Sequence, residues 1–486
     1  MRFTLLSILS LAVVSTTTAQ GANSSELLVP TTNGPVLGHY AATAPASVRE
    51  FLGIPYGAPP IGRLRFAPAA KPNPWIEPID AGKFGPTCYN AMIPPELEIV
   101  AKPPLEDEDC LSINVWTPTK KRSKGPAAVL LWTYGGGFTF GGSFTPVYDG
   151  TNLVRDQQDV IVVSFNYRLA VFGYPGSRGL PAKQQNPGLL DVRSAVEWTR
   201  DNIAAFGGDP KRITLFGESA GGSATDTYLY YAKDDPIIAG AIMQSGTVSL
   251  TDIGVLGLPF GESWGNLTRL VDCGNQSAAQ ELECMRQVPA KYLRDTMSAN
   301  NLTFTPAQDN GTVFSNYLSL LESGSRAKVP LLVGSNDQEL LAVNNTAEAA
   351  ATGSFSTLQT FTCPAAQTAR YHARIAPTWQ YRYFGAFPMR FGNFTMPGVA
   401  SHGAEIPQVF GTYDPDGASE EQRDSSAYIQ GAWAAFAKDP KQGLRKYAPN
   451  WPTYSRACKS LVRLTYNNQP GATFVYPESY EAGCSF

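Results

Sequence analysis

The stretch Ile213-Thr214-Leu215-Phe216-Gly217-Glu218-Ser219-Ala220-Gly221-Gly222-Ser223-Ala224 joins a strand-forming run to a run of small residues through the pattern Gly-x-Ser-x-Gly. A Ser at such a junction is expected on a sharp strand-to-helix turn, with its hydroxyl exposed. The flanking glycines are required because the tight turn leaves no room for side chains beside the Ser. The small residues that follow let a helix pack close to a sheet. The same pattern recurs at Gly261-Glu262-Ser263-Trp264-Gly265. There the preceding residues are Gly257-Leu258-Pro259-Phe260, and Pro259 spoils a central strand. Trp264 to Leu270 reads as a plain surface helix. Ser219 is therefore the candidate nucleophile, and Ser263 a helix-start residue.

Further apolar runs lie on either side of the Ser219 elbow. Ala127 to Leu131 ends at Tyr134-Gly135-Gly136-Gly137, Val160 to Phe165 at Asn166-Tyr167-Arg168, and Val329 to Val333 at Gly334. Lys211 to Phe216 leads into the elbow itself. Asp191 to Phe206 carries apolar residues, Trp198 among them, at helical spacing. Short apolar strands alternating with helices predict a parallel sheet with crossover helices, an α/β fold. Length alone suggests about three domains. No stretch reads as a linker, and there is no internal repeat, so a single large domain over 20–486 is expected.

Composition narrows the function classes. Hydrophobic residues are 43% and charged residues 16%, enough apolar content for a large core and against disorder. The formal net charge of -3 argues against a nucleic-acid binder. At the start, Met1-Arg2 precedes an apolar run from Phe3 to Val14 and the small residues Ser15 to Ala19. This describes a secretory signal peptide over 1–19 cleaved after Ala19. The run is shorter than the roughly 20 apolar residues a spanning helix needs, so stable membrane insertion is not expected. The last residues, Glu481 to Phe486, match neither a retention signal nor a lipid-anchor tail. Sequons begin at Asn23, Asn266, Asn275, Asn301, Asn310, Asn344 and Asn393. With secretion they suggest a glycosylated surface. Secretion also permits disulfides. The seven cysteines are an odd number, so at least one is free or pairs between chains.

A Ser hydroxyl is a poor nucleophile until a base takes its proton, and His is the usual base. The chain has three. His39 looks like an early hairpin residue. His372 sits in a sequence of helical, solvated character. His402 sits in Ser401-His402-Gly403-Ala404-Glu405. In this architecture the acid falls between Ser and His in chain order, which selects His402. The acid must follow a strand and reach the imidazole N–H. After Val333 come Gly334-Ser335-Asn336-Asp337-Gln338-Glu339, and both Asp337 and Glu339 qualify. The glycines after Tyr134 can present backbone N–H groups to a developing oxyanion, with Ala220 N–H as a further donor. A phosphate cradle would need Gly-Lys-Ser/Thr, which is absent. No metal-ligand spacing occurs, and no cofactor is implied.

Together these features resemble the type-B carboxylesterase/lipase family of α/β-hydrolases, which includes cholinesterases and secreted fungal lipases. The resemblance covers nearly the whole mature chain. It runs through Phe51-Leu52-Gly53-Ile54-Pro55-Tyr56, Glu108-Asp109-Cys110-Leu111-Ser112-Ile113-Asn114-Val115 and the Gly loop at Tyr134. It continues through Asn166-Tyr167-Arg168, Asn186-Pro187-Gly188-Leu189-Leu190-Asp191, Phe206-Gly207-Gly208-Asp209-Pro210, the Ser219 elbow and Gln244-Ser245-Gly246. The family's Gly-x-Asn-x-x-Glu pattern lands on Gly334, Asn336 and Glu339, and so implies Glu339 as the acid. Leu340 stands where the family usually has Gly. The family's His-Gly-x-Glu pattern lands on His402, Gly403 and Glu405. Its oxyanion donors land on Gly136, Gly137 and Ala220, with Tyr134 where many members have His.

The resemblance also implies the pairs Cys88–Cys110 and Cys273–Cys284. Cys363 could open a third pair, with Cys484 favoured over Cys458 as its partner; Cys458 would then be the odd thiol. The implied activity is two-step acyl transfer on a small-molecule or lipid ester. Cholinesterases carry a Trp in the first disulfide loop that binds a quaternary ammonium. Tyr89 to Asp109 contains none. That loop interleaves Met92, Ile93, Leu97, Ile99 and Val100 with Glu96, Glu98, Asp107 and Glu108, whereas a lipase lid should show a larger apolar face. A carboxylesterase on soluble or modest-sized esters is expected, with lipase or sterol esterase as the alternative. Amidase or transacylase chemistry would use the same residues. Members that have lost the triad serve as binding modules, but Ser219, Glu339 and His402 are all present here.

Overall fold

The computed structural model describes residues 26–485 except 92, 94–102, 104, 120–124, 253–260, 341–355, 392–393 and 397. The expected signal peptide lies outside the described residues, as do Met92, Glu96, Leu97, Glu98, Ile99 and Val100 of the first disulfide loop. One eleven-stranded sheet forms the centre. Its strands are β1 (His39–Tyr40), β2 (Val48–Pro55), β3 (Ser112–Pro118), β4 (Ala127–Thr133), β5 (Val160–Phe165), β6 (Gly208–Glu218), β7 (Gly240–Gln244), β8 (Leu331–Asn336), β9 (Thr378–Tyr383), β10 (Leu461–Leu464) and β11 (Ala472–Val475). Their spatial order is β11-β10-β9-β8-β7-β6-β4-β5-β3-β2-β1.

The seven strands β4 to β10 pair in parallel, while β1, β2, β3 and β11 pair antiparallel at the two edges. Every residue of β3, β4, β5, β7, β8 and β9 is buried. Strands buried at every position have both faces covered, which explains the continuous apolar runs of β4 and β5, while β3 and β9 bury polar side chains as well. Each fully buried Val, Leu or Ile there is worth about 1.5–3 kcal/mol. Helix Ala220–Tyr231 packs on β6 and β7, and helix Glu420–Lys438 on β4. The expected helix over 191–206 is an α-helix at Pro187–Asn202 continued by a 3₁₀ turn at Ile203–Phe206. No helix among the described residues is long and apolar enough to cross a membrane.

The parallel order turns between β4 and β6, since β5 lies on one side of β4 and β6 on the other. Loops leaving the carboxyl ends of strands at such a turning point diverge and leave a crevice. The Gly loop leaves β4 there and the Ser219 elbow leaves β6. The register aligns Thr133 with Gly217, Glu218 with Gln244, and Gln244 with Gly334, so the ends of four strands meet at one level. A buried ion pair ties the surroundings together. Arg168, after β5, donates to Asp191 from Nε at 2.8 Å and from Nη2 at 2.6 Å.

Candidate active site

Ser219 adopts φ 57° and ψ -124° between β6 and helix Ala220–Tyr231. A non-glycine residue there is strained, and such strain persists only where surrounding contacts impose it. Those contacts are visible. Ser219 N–H donates to the Gln244 carbonyl at 2.9 Å, and its own carbonyl accepts from Ser223 N–H at 2.9 Å. A Cβ on Gly221 would lie 2.0 Å from the Thr133 carbonyl oxygen, so the elbow seats against the end of β4 only with glycine there. Glu218 and Ala220 are buried while Ser219 is partly exposed. The Gly loop packs onto the elbow. A Cβ on Gly135 would lie 2.9 Å from Ser219 Cβ, and Gly136 and Gly137 both have positive φ. Tyr134 is fully buried, stacked on Tyr167 at 4.5 Å, and its carbonyl accepts from the Tyr167 hydroxyl at 2.8 Å.

The loop after β8 separates the two candidate acids. Glu339 is buried. Its Oε2 accepts from His402 Nδ1 at 2.7 Å and its Oε1 from Asn336 N–H at 2.6 Å. His402 N–H donates to the Glu339 carbonyl at 3.2 Å, so backbone and side chain both bind the two loops. Asp337 points elsewhere, its Oδ1 accepting from Arg382 Nε of β9 at 2.9 Å. Since a carboxylate only accepts, the proton of the Glu339 contact sits on Nδ1. That leaves His402 Nε2 facing the elbow, 3.1 Å from Glu218 Oε1.

Three glutamates therefore surround one imidazole. Glu405 Oε1 accepts from Gln244 Nε2 at 2.9 Å, and its Oε2 from Asn336 Nδ2 at 2.6 Å. Trp433 Nε1 in turn donates to Gln244 Oε1 at 3.0 Å. Burial raises the pKa of Glu218 well above the carboxylate range; the nearby imidazole lowers it, and Glu405 and Glu339 raise it further. Burial by itself lowers His402, but the charges of Glu218, Glu339 and Glu405 and the Glu339 bond outweigh it, so the net shift is upward. Each of the two thus favours the charged form of the other across the 3.1 Å contact at Nε2. Glu405 is also raised, by burial and then by Glu339. Among the described residues no group of three or more His, Cys, Asp or Glu side chains is arranged to hold a metal ion.

The other histidines are elsewhere. His39 lies on β1, antiparallel to β2, as a hairpin residue. His372 ends helix Cys363–His372 but is fully buried, not solvated, with Nε2 2.8 Å from the Val329 carbonyl. The Val329 carbonyl and the nearby Arg326 charge act on it there, which the local sequence does not reveal. Ser263 stands second in helix Glu262–Leu270. That helix is not a plain surface one, because Trp264 and Leu267 are buried in a second apolar cluster. Disulfides join Cys88 to Cys110, Cys273 to Cys284, and Cys363 to Cys484, and Cys458 is free and exposed. Of the sequon residues, Asn275, Asn301 and Asn310 are exposed and Asn266 partly so; Asn23, Asn344 and Asn393 lie outside the described residues.

Sequence reading did not assign Glu218 or Phe361 to the site. Glu218 occupies the variable position of the elbow pattern, which carries no signal by itself. Phe361 meets the His402 ring at 4.9 Å between centroids, from a segment 41 positions earlier in the chain.

A mostly parallel sheet flanked by helices, with a strained Ser elbow at its turning point and a buried carboxylate on a downstream His, defines an α/β-hydrolase. Comparison with known proteins carries this further: the chain belongs to the Carboxylesterase family, which it matches over residues 25–353 and 343–482, and it is a carboxylic-ester hydrolase. It is 35% identical to secreted lipase 5 of Gibberella zeae, over 97% of this chain and 96% of that one. It is 36% identical to chlorogenic acid esterase of Aspergillus niger, over 94% of each. Among solved structures it resembles a PNB esterase, with TM-score 0.79 and 27% identity over 94% of this chain and 99% of that one. A thermophilic PNB esterase gives TM-score 0.76 and 28% identity over 93% and 98%.

Proposed function

We propose that the protein is a secreted serine carboxylesterase working through Ser219, His402 and Glu339, with residues 1–19 removed as a signal peptide and 20–486 as one catalytic domain. The observation that carries this reading is the 2.7 Å contact of buried Glu339 with His402 Nδ1, which turns Nε2 toward the Ser219 elbow. His402 in its neutral form takes the Ser219 proton on Nε2 as Oγ attacks the ester carbonyl. The backbone N–H groups of Gly136, Gly137 and Ala220 hold the oxyanion; one such donor is worth about 3 kcal/mol of barrier. Collapse breaks the C–O bond, and the alcohol leaves with the proton from Nε2. Water then attacks the acyl-enzyme by the same route and releases the acid and free Ser219. Nε2 need only exchange Glu218 for Oγ, one residue along the backbone. Catalytic hydrogen bonds of this kind tighten when substrate is in place.

The substrates are soluble or modest-sized esters, in keeping with the mixed polarity of residues 89–109 and with the relative named as a chlorogenic acid esterase. A long-chain lipase reading draws on the relative named as a lipase. Hydrolysis of p-nitrophenyl esters from acetate to palmitate, with Ser219→Ala in parallel, separates the two. We expect a short-chain optimum and complete loss in the variant. A palmitate optimum would favour the lipase, and activity surviving in Ser219→Ala would refute the nucleophile.

A further inference from the structure

The segment before helix Cys363–His372 is a single π-turn, Leu358–Thr362. Such turns are rare and carry one residue more per turn than an α-helix. Cys363 N–H returns five residues to the Leu358 carbonyl. Pro364 has no N–H to return to the Thr360 carbonyl, so the α-helical bond at that point cannot form. The widened turn carries Phe361, which is 7% exposed, against the His402 ring at 4.9 Å and 43°. The two polar contacts of His402, at Nδ1 and Nε2, fix its ends but leave the ring free to rock about the line joining them. Phe361 blocks that motion from one face.

The residues bounding the same turn grip the acid loop at both ends. Thr357 Oγ1, just before it, accepts from Leu340 N–H at 3.1 Å, one residue after Glu339. Thr362 Oγ1, its last residue, accepts from Arg382 Nη1 at 2.8 Å, and the same guanidinium holds Asp337. The turn is braced from behind. Cys363 is joined to Cys484, helix Glu478–Glu481 packs on the turn, and a Cβ on Gly483 would lie 2.7 Å from Leu358 Cδ2.

We propose that this π-turn is a positioning element of the active site: Phe361 sets the plane of the His402 ring, and Thr357 sets the loop that presents Glu339. The proposal rests on the triad reading above. Neither residue is a catalytic residue; both act through His402 and Glu339.

The test uses the full-length enzyme with p-nitrophenyl butyrate and the variants Phe361→Ala, Phe361→Tyr and Thr357→Val. Loss of the ring should lower kcat by about 10- to 100-fold, the scale of a small misplacement of a reacting group, and leave KM within about twofold. The downfield proton resonance of the His402 Nδ1–Glu339 bond should broaden. Phe361→Tyr, which keeps the ring, should restore kcat and the resonance. Thr357→Val loses only a hydroxyl and keeps the shape, so it decides the matter if Phe361→Ala does not fold; kcat should fall several-fold at constant KM. Unchanged kcat and resonance in the variants, with only a lower Tm, would make the turn a structural support and overturn the proposal. A raised KM at constant kcat in Phe361→Ala would make Phe361 a substrate contact, with the same consequence. A wild-type enzyme that neither hydrolyses esters nor labels with a fluorophosphonate would remove the triad reading and this inference with it. Activity that is lost in Ser219→Ala keeps the two questions separate.

Discussion

Replacing Glu339 by Gln changes one atom of the proposed acid at its contact with His402. Glu339 Oε2 lies 2.7 Å from His402 Nδ1. In the proposed mechanism, attack by Ser219 turns the imidazole into an imidazolium, and the carboxylate stabilises that charge. At a charge separation of about 4 Å and an effective dielectric constant near 20, the attraction is about 4 kcal/mol. That is about a thousandfold in rate. An amide adds a second fault. Asn336 N–H holds the Gln oxygen as it held Oε1, so the amide NH₂ faces Nδ1. Nδ1 must then accept, and the ring proton moves to Nε2, where it blocks the base. Together these predict a kcat loss of about 10³- to 10⁴-fold with the protein still folded. Asp337→Asn should cost no more than about fivefold, because a partly exposed ion pair with Arg382 is worth at most about 1 kcal/mol. The assay is kcat on p-nitrophenyl acetate, with active sites counted by fluorophosphonate labelling and folding checked by thermal melting. If Asp337→Asn proves the more damaging change, the assignment of the acid is wrong.

Three further outcomes follow from the same contacts. Glu218→Gln removes a carboxylate that raises His402, so the His402 pKa should fall and the acid limb of kcat/KM should move to lower pH; an unmoved limb would mean that the Glu218 charge does not act on His402. His372 is depressed to about 3, chiefly by burial and then by the Arg326 charge. The unfolded chain binds that proton and the folded one does not. Its contribution to stability is therefore present above the ordinary His pKa and lost as pH falls from about 6.5 toward 3, by several kcal/mol in all. Denaturant titrations across that range should show the slope, and His372→Gln should flatten it. Asp191→Ala strands the buried Arg168 guanidinium and should cost about 3–5 kcal/mol in chemical denaturation, with a smaller loss arguing that water enters the site.

The fold class was legible because its signals are local. Central strands covered on both faces favour apolar runs, and a Ser between a strand and a close-packed helix must be flanked by glycine. Residues 127–131, 160–165 and 211–216 therefore announce β4, β5 and β6 without reference to anything distant. β3, β7, β9 and β10 were not picked out as strands from periodicity, and their pairing shows why: short runs such as Gly240–Gln244 owe their conformation to neighbours on both sides. The scarcity of histidine and the order Ser, acid, His narrowed the candidate base to His402 before any contact was known.

What the tertiary structure decided is which way side chains in loops point. Asp337 and Glu339 are two residues apart in one turn and chemically alike. Their directions are set by Arg382 on β9 and by His402, which arrive from 45 and 63 positions away. The burial of His372 is set by Arg326 and by the Val329 carbonyl it meets, not by its own helix. Glu218 gains a role only because the strand register puts it level with Gln244 and under the His402 loop. Phe361 reaches the imidazole only through a widened turn. Local sequence dictates backbone shape, since sterics and burial act on neighbouring residues. Charge, proton position and ring orientation belong to contacts between distant segments, and only the folded chain brings those together.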